Sequence, residues 1–221
     1  ITVTGGTFLN SDNSKYDISG FIPAGAALTQ NANGEVVKNS SAKIVAEVNS
    51  VGYTTLEAAI TAATAGNTVM LLQNITESIT VPAGKNVVLD LNGKTVTSAD
   101  ASAHTIVVEG QLTVKDSTTT KPPEVGTDYE AITYTAGTIQ TTEETSNSNG
   151  YWPKAVQVQN GGSFELQSGI LYSADSDALF VVGNMSGTQP IASSATVSGG
   201  YIHSNEYGIG VVGAGAVLNM E

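Results

Sequence analysis

The chain has 221 residues, 40% of them hydrophobic, 13% charged and 6% aromatic, with 24 Gly, 27 Thr, 21 Ser and no Cys. The missing Cys excludes a disulfide scaffold and a thiolate metal site. All 8 basic residues are Lys, and the net charge of −12 argues against nucleic-acid binding. The chain is rich in Thr, Ser and Gly and poor in residues that favour helices, and this composition predicts many short strands. No apolar run reaches the roughly 20 residues of a membrane span.

The first 66 residues predict a strand, a loop and one helix. Residues 1–8 are strand-like and lead through a polar turn into a loop rich in Gly, Ala and Asn. Residues 53–66 predict a helix, because Thr54 as N-cap with Glu57 three positions later forms a capping box and Gly66 ends the pattern. The apolar face of this helix would consist of Leu56, Ala59, Ile60 and Ala63.

From Asn67 onward the sequence predicts short β-strands separated by Gly, Asn and Asp turns. The segments Gly110–Val114, Gly162–Leu166 and Gly215–Asn219 resemble one another. Self-similarity at roughly 20 to 30 residues is typical of a solenoid, whose coils stack around a continuous core. A unit of that length made of strands is one coil of a parallel β-helix. Residues 67–221 would supply roughly six or seven coils.

Residues 47–97 resemble the opening of the pectate-lyase-like right-handed β-helix domains of bacterial surface proteins. The residues that carry the likeness are Tyr53, Leu56, Ala59, Ile60, Ala65, Gly66, Val69, Leu71, Leu72 and the run Leu89–Gly93. The resemblance implies an all-β right-handed parallel β-helix whose N-terminal end is covered by a short α-helix. It concerns architecture and not activity, since this scaffold hosts many functions.

The two ends of the sequence are alike. Thr2, Val3, Gly5, Gly6 and Phe8 align with Thr196, Val197, Gly199, Gly200 and Ile202. The last residues lie within a predicted coil, which would leave an unpaired strand edge. We therefore expect residues 1–50 to complete the end of a neighbouring subunit or repeat, and residues 51–221 to form the capped β-helix. The predicted interface residues are Ile1, Val3 and Phe8 on the donor side and Val211, Val217 and Leu218 on the acceptor side.

Three arrangements agree with the matching ends. In the first, the N-terminal segment completes the next subunit of a head-to-tail homopolymer, because a heterologous contact that does not close generates fibres. In the second, the chain is one unit of a longer tandem array. A start at Ile1 instead of Met predicts a processed product or a piece of something longer. In the third, the segment folds back over its own body.

The resemblance also raises the question of an enzyme, because the superfamily contains polysaccharide lyases and hydrolases. Its lyases bind calcium through Asp or Glu and usually use Arg as the base, and this chain has no Arg. The hydrolase motifs Gly-His-Gly and Arg-Ile-Lys are absent as well. Asp175 and Asp177 form the only close Asp pair, a weak calcium candidate or a polar turn before a strand. His104 and His203 are expected in turns or on the surface, so we predict no catalytic residue and no cofactor.

A long excursion between coils, residues 116–154, is the other candidate for a site. It carries Tyr129, Tyr151 and Trp152, the only Trp of the chain. Exposed aromatic faces can stack on sugars, and they can equally pack against the flank of the solenoid. Both interpretations stay open at this point.

The sequence therefore predicts a non-catalytic structural protein, extracellular or on the bacterial cell surface. It would assemble with itself through strand complementation, as a head-to-tail filament or as a tandem surface array. The alternative is an adhesin or carbohydrate-binding module that contacts a glycan or a host surface through the excursion. A polysaccharide lyase or hydrolase is the third hypothesis.

Overall fold

Three sheets of short parallel strands surround a common core in the computed structural model, which describes residues 1–100, 102–119, 136–141 and 152–221. The N-terminal elements are a 3-10 helix (Ser19–Phe21), β1 (Leu28–Gln30), β2 (Val36–Lys38), β3 (Ala46–Val48), β4 (Val51–Tyr53) and α1 (Leu56–Ala62). The following strands are β5 (Asn67–Leu71), β6 (Ile75–Thr76), β7 (Ile79–Val81), β8 (Asn86–Asp90), β9 (Thr95–Thr97), β10 (Ile106–Val108), β11 (Gln111–Lys115), β12 (Thr138–Thr141), β13 (Val156–Val158), β14 (Ser163–Leu166), β15 (Ile170–Ser173), β16 (Leu179–Val182), β17 (Asn184–Ser186), β18 (Gln189–Ile191), β19 (Ser193–Val197), β20 (Tyr201–Ser204), β21 (Ile209–Val212) and β22 (Ala216–Met220).

The chain winds through the three sheets in a fixed order, one strand in each per coil. Sheet 1 stacks β5, β8, β11, β14, β19 and β22; sheet 2 stacks β6, β9, β12, β15 and β20; sheet 3 stacks β7, β10, β13, β16 and β21. All neighbours within these stacks are parallel. This is the predicted parallel β-helix. The described part of the chain makes five complete coils and the first strand of a sixth, so the expectation of six or seven coils was wrong.

The core consists of apolar side chains stacked in columns from coil to coil. Alternate residues of a strand face the same side, so register fixes which residues share a column. One inner column of sheet 1 is Val87, Leu112, Phe164, Ala195 and Leu218. The inner column of sheet 2 is Ile75, Val96, Ile139, Leu171 and Ile202. Members from the middle coils are almost completely buried, and their burial is the main stabilising contribution to the solenoid.

Two of the three segments that resemble one another in sequence pair in the structure as the sequence aligns them, and the third is shifted. Gly110–Val114 and Gly162–Leu166 pair residue for residue, with Leu112 beside Phe164. Gly215–Asn219 is shifted by one, because Phe164 pairs with Ala195 and Ala195 pairs with Leu218. A shift of one residue exchanges the two faces of a strand. Leu218 therefore takes the inner position that the sequence comparison had aligned with Val217.

Helix α1 and a β-hairpin cover the N-terminal end of the solenoid. Strands β3 and β4 pair antiparallel, and β3 also pairs antiparallel with β5, the first strand of sheet 1. The predicted apolar face of α1 is confirmed, with each side chain at most 1% exposed: Leu56, Ala59, Ile60 and Ala63. None of the helices within the described ranges has the length and apolar character that crossing a bilayer requires.

The predicted capping box is wrong by one residue. The N-cap is Thr55, whose hydroxyl accepts a hydrogen bond from the Ala58 amide, so Glu57 is not at the required third position. Two side chains of the first coil hold the helix ends instead. The Glu77 carboxylate accepts from the Leu56 amide at 2.9 Å, and the Lys85 ammonium donates to the Thr61 and Ala63 carbonyls at 2.6 and 2.7 Å. The negative Glu77 thus lies at the positive N-terminal end of the helix dipole, and the positive Lys85 lies at its negative C-terminal end.

We expect Lys85→Ala to lower the free energy of unfolding by about 1 kcal/mol, because two helix carbonyls lose a charged donor at the negative end of the dipole. Lys85→Glu should cost more than Lys85→Ala, since it places a like charge there. Urea denaturation monitored by circular dichroism measures both changes. The exposed Glu57 offers a matched control, and Glu57→Ala should change the stability by less than about 0.5 kcal/mol. Equal effects at both positions would contradict the assigned role of Lys85.

The N-terminal region lies beyond this cover, on the side away from the coils. Its hairpin, β1 with β2, is antiparallel, and Ala26 forms an isolated antiparallel bridge with Tyr53 of β4. The Ala27 amide donates to the Gly52 carbonyl at 2.6 Å. Residues 1–43 are thus attached at the N-terminal end of their own solenoid, opposite the strands of the last coil.

Candidate assembly interface

The C-terminal end of the solenoid presents three strand edges. β20, β21 and β22 are the outermost strands of their sheets, and each pairs with a parallel strand on one side. Sheet 1 extends one strand further than sheets 2 and 3, so β22 stands one layer beyond β20 and β21. The backbone groups along such an edge can pair with an incoming strand.

Inward-facing apolar residues of the last coil are exposed at this end. Val211 is 42% exposed, whereas Val181, its partner in the preceding coil, is 0% exposed. Met220 is 69% exposed at the end of the column that contains Leu166. Leu218 is half-buried. These side chains occupy core positions that no further coil covers, so this end of the solenoid exposes part of the apolar core.

Val217, the third predicted acceptor residue, lies on the other face of β22. It pairs with Ser194, which pairs with Ser163, and both serines belong to the polar outer column of sheet 1. Val217 is 44% exposed there. It therefore belongs to the edge strand but does not contribute to the exposed core face.

The predicted donor residues differ in how firmly they are held. Ile1 is fully exposed, Val3 is half-buried, and the Val3 amide donates to the Phe21 carbonyl at 2.7 Å. Thr2 and Thr4 line a cavity of about 560 Å³, whose other wall includes α1. Residues 1–4 are therefore loosely packed against their own helix.

Phe8 is integrated into the N-terminal region. Its amide donates to the Gly34 carbonyl at 2.9 Å, and its carbonyl accepts from the Tyr16 amide at 3.0 Å. The neighbouring Thr7 forms an isolated antiparallel bridge with Glu35. Releasing Phe8 would break these bonds, so Phe8 is less available as a donor than Ile1 and Val3.

Comparisons with known proteins identify no relative. The sequence matches no protein-family model, and neither curated proteins nor solved structures give a significant match.

The candidate calcium pair, Asp175 and Asp177, lies in a turn before β16, as the alternative interpretation predicted. Asp177 forms an ion pair with Lys154 at 2.9 Å, and both side chains are close to nine-tenths buried. The Lys154 ammonium also donates to the Ser176 hydroxyl and lies 4.9 Å from the centre of the Phe180 ring. Asp177 thus serves a structural ion pair. Within the described ranges, no group of three or more His, Asp or Glu side chains is placed to hold a metal ion.

The two histidines occupy different environments. His104 lies beside a turn between β9 and β10, in line with one of the two expectations, but it is 8% exposed and so is not at the surface. Its Nδ1 accepts the Lys154 amide at 2.9 Å; burial first, and then the Lys154 charge, lower its pKa to about 4. His203 is exposed on β20 and stacks on Tyr172, with the ring centres 5.6 Å apart.

The long excursion is interrupted by a strand that the sequence analysis missed. β12 supplies the third coil's strand of sheet 2, so residues 116–154 are not a single loop. Gly137 before β12 repeats the glycine that precedes the apolar residues of β15 and β20, and this was the available signal. Trp152 is 39% exposed. Tyr129 and Tyr151 lie outside the described residues, so the predicted aromatic site stays a prediction.

Proposed function

We propose that this chain is a non-catalytic extracellular structural protein whose β-helix associates end to end. The N-terminal end of one solenoid would cover the C-terminal end of the next, in a head-to-tail filament of separate chains or in a tandem surface array. The observation that carries the proposal is the exposure of core positions in the last coil, above all at Val211. Covering this end would remove apolar surface from water and pair the free strand edges.

The non-catalytic part of the proposal is supported by the structural roles of the buried and half-buried carboxylates. Asp116 accepts backbone and hydroxyl hydrogen bonds from three turns, and Asp90 accepts from the Asn92 and Ser117 amides. Asp177 pairs with Lys154, and Glu77 holds the start of α1. Each of these groups stabilises the solenoid. The extracellular part is supported by the acidic, Thr- and Ser-rich composition without Cys.

A pair of valines tests the proposal. Val211 and Val217 are almost equally exposed, at 42% and 44%, but they lie on the inner and outer faces of the last coil. We expect Val211→Lys to weaken self-association of the 221-residue chain by at least tenfold, because the interface would bury an unpaired charge. Val217→Lys should change it by less than about threefold. Sedimentation velocity over a concentration series and negative-stain electron microscopy measure the association.

Regular fibres or concentration-dependent oligomers of the unmodified chain are the expected result. A chain that stays monomeric up to about 1 mM would contradict the filament of separate chains and leave only the tandem array, in which covalent linkage raises the effective concentration of the two ends. Equal losses of association in the two valine variants would contradict the proposal in both forms, since the exposed core face would then have no special role. Circular dichroism of both variants confirms that they remain folded.

A further inference from the structure

We infer that residues 1–4 of a second copy of this chain add to β22 as the next parallel strand of sheet 1. Ile1 lies beside Leu218, Thr2 beside Asn219, and Val3 beside Met220. The inference rests on the proposed end-to-end association and specifies the strands and the register through which it occurs. The incoming strand is parallel in this inference because residues 1–3 match β19 in sequence, and β19 pairs parallel with both of its neighbours.

The register follows from the sequence match and the observed pairing together. Thr2 and Val3 align in sequence with Thr196 and Val197 of β19. In the structure the layer above β19 is already filled, because Asn219 and Met220 pair with those two residues. The strand that resembles β19 therefore belongs one layer further out, on the free edge of β22.

The side chains of residues 1–4 continue the columns of sheet 1. Ile1 extends the inner column that ends in Phe164, Ala195 and Leu218. Val3 extends the inner column that ends in Leu166, Val197 and Met220. Thr2 extends the polar outer column of Glu165, Thr196 and Asn219. A slip of one residue would turn Ile1 and Val3 to the outer face, so the apolar pattern excludes it. A slip of two residues would keep the pattern but lose the sequence match with Thr196 and Val197.

The donor strand is easily released from its own chain. Ile1 is fully exposed, and the cavity of about 560 Å³ beside Thr2 and Thr4 separates the strand from α1. The hydrogen bond from the Val3 amide to the Phe21 carbonyl ties the strand to the rest of the N-terminal region. On β22 the same backbone would form a ladder of bonds. The exchange therefore favours the neighbouring copy.

A different donor segment, residues 5–8 on β20, is disfavoured. Gly5, Gly6 and Phe8 match the residues at and before β20 in sequence. However, the Gly6 carbonyl accepts from the Val36 amide, and Phe8 is bonded to Gly34 and Tyr16. Moving this segment would dismantle the N-terminal region. The edge of β22 also stands one layer further out than that of β20, where an approaching strand meets it first.

The charge distribution favours contact between unlike ends. Residues 154–221 contain one Lys, Lys154, which pairs with Asp177, and four further acidic residues: Glu165, Asp175, Glu206 and Glu221. Residues 1–43 contain three Lys (Lys15, Lys38 and Lys43) and three acidic residues. Two C-terminal ends would repel each other, whereas an N-terminal end against a C-terminal end avoids this repulsion. A second copy of the same chain is thus an electrostatically suitable partner for β22.

Cysteine cross-linking tests the register, and the chain has no native Cys to interfere. Thr2→Cys chains are mixed with Asn219→Cys chains and mildly oxidised, so that any mixed disulfide joins two copies. Neighbouring strands lie about 4.8 Å apart, within reach of a disulfide after small adjustments. The matched control is Thr2→Cys with Val217→Cys, which lies on the same face two residues away. We expect at least tenfold more mixed dimer from the first pair than from the control.

The outcomes separate the inference from the proposed function. Equal cross-linking of the two pairs in a chain that still assembles would overturn the register and leave end-to-end association standing. More dimer from Thr7→Cys with Tyr201→Cys would show that β20 is the acceptor and would likewise overturn the inference. A chain that sediments as a monomer would instead overturn association between separate chains, and with it both this inference and the filament form of the proposed function.

Discussion

Replacing Asp116 with Ala is expected to lower the free energy of unfolding by about 3 to 5 kcal/mol. The Asp116 side chain is 3% exposed, and its carboxylate accepts from the Gly93 amide at 2.9 Å and from the Gly137 amide. It also accepts from the Thr118 amide and hydroxyl and from the Thr119 hydroxyl. Removing the carboxylate would leave buried N–H groups of the second and third coils without their acceptor, and this desolvation cost is the main loss.

The pKa of Asp116 points to the same conclusion. Burial by itself raises the pKa of this carboxyl, but the hydrogen bonds from Gly137, Thr118 and Gly93 outweigh burial and hold the pKa below its ordinary value. A lowered carboxyl pKa means that the group stabilises the fold above pH 3.8 and loses this contribution as the pH falls through the folded-state pKa.

Asp100 provides the matched control for Asp116. It accepts from the Ser102 amide and hydroxyl, both at 2.7 Å, in an exposed turn. Asp100→Ala should cost less than about 1 kcal/mol, because water replaces the lost acceptor. Urea denaturation of both variants gives the comparison. A loss of stability below about 1 kcal/mol in Asp116→Ala would contradict the prediction, because the amides that Asp116 accepts from would then not depend on its carboxylate.

The sequence predicted what depends on local pattern and on repetition. Alternating strands such as β8 and the Leu/Ala/Ile face of α1 could be predicted, because burial of one face imposes a period on the residues. The one-residue shift at Leu218 could not, since Gly213 and Gly215 allow more than one path between β21 and β22. The Thr55 cap was missed because the adjacent Thr54 has Glu57 at capping-box spacing. The carboxylate that does bond the start of the helix, Glu77, is 21 residues from Leu56 in sequence.

The candidate interface shows the same division. That Val211 and Leu218 lie in the last strands of the solenoid follows from the repeated strand pattern along the sequence. Which face Val217 occupies depends on the register of β22 with β19, which is a long-range property. Phe8 is held by backbone hydrogen bonds to Gly34 and Tyr16. A comparison of the two chain ends cannot predict these bonds. Of the three proposed donor residues, Ile1 and Val3 are therefore the more available ones.

Mild acid should destabilise the protein through His104. Burial and the nearby Lys154 charge lower the pKa of His104 to about 4, from 6.5 in the unfolded chain. Because the folded-state pKa is depressed, the contribution of His104 is fully present above pH 6.5 and is lost as the pH falls toward 4. The shift corresponds to about 3 kcal/mol. Protonation also removes the Nδ1 acceptor of the Lys154 amide.

The titration of Glu77 changes the stability in the opposite direction over part of this pH range. Burial raises the pKa of its carboxyl, so its contribution is greatest below pH 4.5 and declines as the pH rises through the folded-state pKa. The His104 effect must therefore be isolated by difference. His104→Asn keeps an oxygen that can accept the Lys154 amide but has no titrating group, so the variant should lose less stability between pH 7 and pH 4 than the unmodified chain.

Urea denaturation at a series of pH values measures this difference. The expected result is a stability gap between the two proteins that changes by about 3 kcal/mol between pH 7 and pH 4. His203→Asn serves as the control for the loss of an imidazole, because His203 is exposed on β20. Parallel pH profiles for the unmodified chain and His104→Asn would show that the buried imidazole does not govern the acid response. The expected change in the gap would show that protonation of His104 destabilises the coils around Lys154 as the pH falls.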